Sequence, residues 1–495
     1  MGRHLGKRAG ALAVAATLLL TAGACGGGDE AGEASGDGEQ VGVARQLPPC
    51  PVEALEQADG KVEVVVWHFL QARTRDALEQ LAADFNASQD KVVVRVENQG
   101  TSNDELWSKY VSHARSGDLP PIAILDDTVT QQLIDSDTLL PAQSCIDATD
   151  TDMSDYLPGA RAYYTVDDVL YPASLNLSGA LLYYNRNHFT KAGLDPDKAP
   201  QTLDEMRTWA EQLKAAGVVE TPVVLQLSPA VIEMFLTGAG QQIVDNDNGR
   251  GAGTTANAVF DTDVTVDFFA WAKAMMDDGL MTALPQTPGQ IGHYQAMATQ
   301  SASMSIETST AATSIEAFVA GDLDTSDLPG EVAQAEVDLD ALDIGAAPVP
   351  GIDAAGKLAM GGGAWYLTNT VPPEQQAAAW AFIDYVNQPA QQVTWNLIGS
   401  YLPYRMSAVE DPRLQAAWRD TLSGRWLAIA YDELLTGVDP NNPGPLIGPY
   451  DEFREILRGQ IEELIYNGAS PEQVTSTAAS ETTDALVAYN EDHSG

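Results

Sequence analysis

Arg454 is the residue whose type and place point most clearly to chemistry. It stands in the first turn of a predicted helix whose apolar stripe runs Phe453, Ile456, Leu457, Ile461, Leu464 and Ile465 before Asn467-Gly468, so it lies beside the stripe and not on it. A guanidinium at a helix N-terminus makes an anion site. A local salt bridge with Asp451 or Glu455 fits the same placement. The choice matters because 26 Lys and Arg stand against 70 Asp and Glu in 495 residues, a formal net charge of −44. Such a surface repels phosphate backbones and anionic lipid, which excludes nucleic acid as a partner. Any small anion must be held by a local cation against that field.

Other reactive patterns are weak. The chain has no H-E-x-x-H, G-x-S-x-G or G-x-x-x-x-G-K, and Gly361-Gly362-Gly363 lacks the Lys of a phosphate loop. Asp245-Asn246-Asp247-Asn248-Gly249 looks like the start of a calcium loop, but its fifth position is Gly and its twelfth is Ala256, so it reads as a polar turn. With 70 acidic residues, picking a carboxylate pair for glycoside hydrolysis is uninformative. His68 reads as structural, and six His with three Cys are too few for a zinc cluster. No enzyme, cofactor or metal is expected.

The elements that must position these residues begin after an unusual leader. Arg3, Lys7 and Arg8 precede an apolar run over 11–20, a signal-peptide core too short to span a bilayer. Thr21-Ala22-Gly23-Ala24-Cys25 resembles a bacterial lipobox, with Ala22 where Leu is usual. The resemblance implies a signal peptide over 1–24, cleavage before Cys25 and lipidation there, which anchors the chain to the outer face of the cytoplasmic membrane. A plain secretory signal with a chance Cys is the alternative. Residues 25–60 read as a flexible tether and entry segment, the Gly-, Asp-, Glu- and Ser-rich tether running over 26–46. Loss of three basic residues with the signal takes the net charge to about −47. Cys50 and Cys145 then remain, and an even pair outside the cytoplasm favours a disulfide over two buried thiols.

The body reads as α/β. Val62–Trp67, Val92–Val96 and Ile122–Leu125 are strands separated by helical spacing such as Leu78, Leu81, Ala82 and Phe85, which predicts a parallel sheet covered on both faces. Leu181–Tyr184 and Pro222–Leu227 open a second series, with a capping box at Thr202-Leu203-Asp204-Glu205 between them. The C-terminal third is predicted helical, and 321–343 an acidic surface excursion. Ligands of such sheets bind at the carboxyl ends of the strands, so two facing lobes make a capture device.

From residue 62 onward the chain resembles bacterial extracellular solute-binding protein family 1, the receptors of sugar-type ABC importers, and within it the glycerol-3-phosphate or glycerophosphodiester branch. The resemblance rests on Val66-Trp67-His68, Asp84 to Gln89, Gln99-Gly100, Ser174 to Ser178, Leu182-Tyr183-Tyr184-Asn185-Arg186 through Pro196, Gly361 to Trp365, Gly399-Ser400-Tyr401-Leu402-Pro403 and Gly448 to Arg454. It implies a two-lobed periplasmic-binding-protein-like fold of type II, each lobe a sheet flanked by helices, with crossings near 172, 307 and 363. The first lobe is then 61–172 plus 307–362, and the second 173–306 plus 363–490. It also implies a monomer that closes on a ligand and docks on ABC permease subunits.

By position the branch assigns ligand contacts to Asp127 after the third strand, Ser178, Thr308 beside Ser309, Gly362, Tyr401 and Arg454. Each has a structural alternative: a solvated acid for Asp127, a turn for Ser178, a hinge bend for Gly362 and core packing for Tyr401. The chain departs from the branch at Ser102, where Tyr is expected, and near Gln226 and Pro229, where the best-known member has tryptophans. Trp67 and Trp365 are candidate replacement walls, with core packing as their alternative. The expected ligand is glycerol-3-phosphate, a glycerophosphodiester or a related polyol phosphate. A neutral mono- or oligosaccharide is the alternative, and a surface glycoside hydrolase or adhesin the remote one.

Overall fold

The computed structural model describes residues 47–285, 292–322, 342–354, 361–439 and 441–493. Cys25, its lipobox and most of the acidic stretch 321–343 lie outside the described residues.

In chain order the main strands are β1 (Val62–His68), β2 (Val92–Asn98), β3 (Ile122–Leu125), β4 (Leu139–Leu140), β5 (Ala180–Asn185), β6 (Val223–Leu227), β7 (Met281–Pro285), β8 (Met304–Thr308), β9 (Ile344–Pro348) and β10 (Ala364–Thr368). One sheet has the order β2-β1-β3-β10-β4, the other β7-β6-β8-β5-β9. The β-branched run of β1 pairs in parallel with β2 and β3, as its sequence predicts. Neither sheet is wholly parallel. β10 runs antiparallel to β3, and β5 antiparallel to both β8 and β9.

Two apolar cores result, one on each sheet. Strand β5 shows how they divide. Leu181 and Tyr183 enter the first core while Leu182 and Tyr184 enter the second, since successive side chains of a strand point to opposite faces. Leu181 and Leu182 are fully buried, and burying a side chain of that size stabilises by about 1.5–3 kcal/mol. The capping box forms with a shift: Thr202 accepts the Glu205 N–H at 3.2 Å, but the Glu205 carboxylate takes the Gln201 N–H at 2.7 Å.

Hydrogen bonds place 173–178 beside 361–365: Ala173 N–H donates to Trp365 O at 2.7 Å, Asn176 N–H to Gly363 O at 2.9 Å and Ser178 N–H to Gly361 O at 3.2 Å. Ser309 N–H donates to Gly179 O at 2.7 Å, which adds a third segment. Sheet membership departs from the expected division. β9 belongs to the second sheet, although 307–362 was assigned to the first lobe. β10 and the helices Pro373–Val386, Pro389–Gly399 and Leu422–Thr436 pack on the first core, although 363–490 was assigned to the second. Only from Ile447 on does the C-terminal part join the second core. Helical periodicity reveals an apolar face but not the core that receives it.

The entry segment that follows the predicted tether is structured from Leu47 on. Leu47, Val52 and Leu55 pack on the first core, and Cys50 is bonded to Cys145 across a separation of 95 residues, with Cα atoms 4.9 Å apart. A loop of that size corresponds to about 4–5 kcal/mol in the chain-entropy model.

Candidate ligand-binding cleft

Strand β3 is buried along its whole length and ends at Asp126-Asp127, so these carboxylates emerge at its carboxyl end. Asp126 is held in place. Its Oδ1 accepts from Thr128 N–H at 3.2 Å and Thr128 Oγ1 at 2.7 Å, and its Oδ2 from Asn103 Nδ2 at 2.8 Å. Asp127 Oδ2 accepts from the Tyr163 hydroxyl at 2.7 Å. Tyr163 comes from the Pro158–Tyr164 helix, and the next residue, Tyr164, donates to Gly362 O at 2.9 Å.

The second core supplies the cations. Arg454, just past the first turn of the Tyr450–Glu462 helix, donates through Nε to Glu233 Oε1 at 3.0 Å and through Nη2 to Glu233 Oε2 at 3.2 Å. Its Nη1 lies 3.6 Å from Asp126 Oδ1, and its guanidinium sits 5.2 Å from the Tyr450 ring centre. The Tyr450 hydroxyl also donates to Glu233, at 2.7 Å. The pairing is thus with Glu233 and Asp126, not with the expected local acids Asp451 or Glu455. Asp451 instead accepts from Gln132 Nε2 at 2.7 Å.

Arg250 is the second cation, and the turn that resembles a calcium loop positions it. Asn246, Asp247 and Asn248 all have φ between 54° and 57°, and Gly249 has φ 83° with Leu446 O 1.9 Å from where a Cβ would stand. This polar turn sends Arg250 to Gly444 O at 2.9 Å and Tyr163 O at 3.1 Å. Among the described residues no group of three or more His, Cys, Asp or Glu is placed to hold a metal.

Burial and neighbouring charges shift several groups of this cluster. Burial alone would raise Asp126, but the Arg454 charge and the Thr128 bonds hold it below the usual carboxylate range. Burial and the Asp126 charge push Asp127 well above that range. Burial opposes the Arg454 charge, yet Glu233 and Asp126 raise its pKa well above the ordinary value. Arg454 thus faces the ionised Asp126, while Asp127 is biased toward its protonated form.

A separate cavity of about 400 Å³ is lined by residues including Tyr401, Phe69, Tyr183, Tyr294 and Glu307. Tyr401 is stacked on Trp395 with ring centres 5.1 Å apart, so it is both core and wall. Ser178 bridges to Gly361 and lies half-buried. Thr308 is exposed and bonds to Thr310 at 2.6 Å, whereas Ser309 is fully buried and accepts from Gly179 N–H at 3.3 Å. Gly362 has φ +133°, and a Cβ there would lie 1.8 Å from Asn176 O, so the backbone bend itself demands glycine.

The two tryptophan walls are not at the cleft. Trp365 is fully buried and donates to Asn176 Oδ1 at 2.8 Å, and Trp67 is buried against the His113 ring at 4.9 Å. At the departures, Ser102 caps the Asn103–Ala114 helix and Pro229 is the buried first residue of the Pro229–Gly238 helix. Sequence reasoning missed Tyr163, Glu233, Arg250, Tyr294 and Glu307. Asp126 carried a signal, as the neighbour of Asp127 at a strand end; the others come from helices, a turn and strand β8 that only the fold brings in.

A two-sheet α/β chain whose cores present charged and aromatic side chains to one another across a hinge is a solute-capturing receptor. The chain belongs to the bacterial extracellular solute-binding protein family, whose profile matches residues 80–419. It is a substrate-binding protein of an ABC importer, exported from the cytoplasm, and not an enzyme. It is 24% identical over 417 residues to the sn-glycerol-3-phosphate-binding periplasmic protein UgpB of Rhizobium meliloti (strain 1021), covering 83% of this chain and 90% of that one. Among solved structures it resembles UgpB from Mycobacterium tuberculosis in complex with glycerophosphocholine, with TM-score 0.67, 19% identity and coverage of 87% and 99% of the two chains. The GacH receptor of Streptomyces glaucescens, described unliganded and with acarbose, gives the same TM-score, identity and coverage.

Proposed function

We propose that the chain captures glycerol-3-phosphate, a glycerophosphodiester or a related polyol phosphate and delivers it to a membrane permease, tethered by lipid on Cys25. The observation that carries the reading is the placement of Arg454 where the two cores meet, with Nη1 facing Asp126 of the other core. A phosphate oxygen can take that N–H, and ligand hydroxyls can exchange with the Tyr163 bond on Asp127. The likeness to glycerol-3-phosphate-binding relatives, over 83% and 86% of this chain, supports the same ligand class. A ligand touching both cores shifts the open–closed equilibrium, and the permease reads the closed state.

One observation favours a neutral sugar instead: Glu233 already occupies two donors of Arg454, which lowers its pull on an anion. Thermal-shift screening against polyol phosphates and a sugar panel separates the readings. Stabilisation by a phosphorylated polyol supports the first; stabilisation by sugars alone supports the second.

A further inference from the structure

We propose that Arg250 anchors a phosphate group in a second, polar cavity that lies where the two cores meet. This cavity has a volume of about 780 Å³. Gln131 and Ala162 line it from helices that pack on the first core, Thr130–Asp135 and Pro158–Tyr164. Arg250 lines it from the other side, with Leu486 of the second core. Neither Arg454 nor Glu233 is in its lining.

The way Arg250 is held sets it apart from Arg454. Its Nε donates to Gly444 O at 2.9 Å, its Nη1 to Tyr163 O at 3.1 Å, and its guanidinium sits 5.2 Å from the Tyr163 ring centre. Neutral carbonyls orient a guanidinium without cancelling its charge. Nη2 has no hydrogen-bond partner, and no carboxylate pairs with this side chain, among the described residues. Arg454 by contrast gives both Nε and Nη2 to Glu233. Burial accordingly pushes the Arg250 pKa below its ordinary value, although Tyr163, Tyr450, Asp127 and Asp247 oppose the shift. A half-buried, oriented cation with no counter-ion is therefore present in a chain of 70 acidic and 26 basic residues. A phosphate oxygen fits its open edge through a charge-assisted bond. The acids in the lining are Asp135, Asp167 and Asp247. All three are exposed, so salt screens them more than it screens Arg250, and Asp135 already accepts from the Tyr489 hydroxyl at 2.7 Å.

The inference does not rest on the reading of Arg454. Its test is calorimetric titration of inorganic phosphate into the full-length wild-type protein and into Arg250→Gln. Saturable binding is expected in the wild type, and the variant is expected to lose that site or weaken it about tenfold or more. If Arg250→Gln does not fold, Arg250→Lys takes its place. A single ammonium cannot hold both carbonyls and an oxyanion in the fork geometry, so about fivefold weaker binding is expected there. No saturable binding to the wild type, or equal binding to wild type and variant, overturns the site. Loss of phosphate binding in Arg454→Gln alone overturns it too, and leaves the reading of Arg454 standing. Repeating the wild-type titration with saturating glycerol-3-phosphate identifies the source of the group. Undiminished binding assigns Arg250 to a free anion held beside the ligand, and exclusion assigns it to the ligand's own phosphate.

Discussion

Arg454 and Glu233 form a two-point pair, 3.0 and 3.2 Å long, in which the carboxylate is only 8% exposed and the guanidinium also faces Asp126 at 3.6 Å. Removing one partner of such a pair leaves a buried charge uncompensated, which costs about 3–5 kcal/mol. Arg454→Ala and Glu233→Ala are each expected to destabilise on that order. The double variant should lose about 1–3 kcal/mol less than the sum of the two. Denaturant midpoints of the four proteins in the cycle check this.

Gly361 and Gly362 are neighbours with different tolerances. A Cβ on Gly362 meets Asn176 O at 1.8 Å, whereas one on Gly361 meets only Asp127 Oδ2, at 3.9 Å. Gly362→Ala is therefore expected to destabilise by about 3 kcal/mol or more and Gly361→Ala by less than about 1 kcal/mol. Thermal unfolding of the two variants, run side by side, reads the contrast.

Glu433 gives the stability a pH signature. Both of its carboxyl oxygens are buried without a partner, and burial raises its pKa to about 8. The folded chain then binds a proton that the unfolded chain releases near its ordinary pKa. This contribution is complete below that ordinary value, declines as pH rises, and is lost through about 8. Glu433→Gln should flatten that slope and be the more stable protein at pH 9, by on the order of a few kcal/mol. Denaturant unfolding of both proteins from pH 5 to 9 measures it, and parallel curves would refute the assignment.

Trp365 separates core from site. Its indole N–H bonds to buried Asn176. Trp365→Phe should lower stability by about 1–2 kcal/mol, by leaving that amide oxygen unpaired, and leave ligand affinity within twofold. A large affinity loss in a folded variant would return Trp365 to the cleft.

What the sequence disclosed follows from periodicity. Ile122–Leu125 was legible to the residue as a short apolar run, and the strand β1 as a β-branched one. The antiparallel direction of β10 was not, because a strand pattern has period two in either direction. Arg454 could be singled out by its place at a helix start, but its partner Glu233 lies 221 residues away on the Pro229–Gly238 helix, and no local spacing announces such a pair. The tryptophans misled for the same reason. A Trp at a strand end reads equally as a wall or as core, and only packing shows that Trp365 is enclosed.

The central claim, that a polyol phosphate is held at Arg454, is tested most directly by calorimetric titration of glycerol-3-phosphate into the wild-type chain and into Arg454→Ala. The account predicts saturable binding that weakens by about 30-fold or more in the variant. Equal affinity in both proteins, or no binding of any polyol phosphate alongside saturable binding of a neutral sugar, would contradict it.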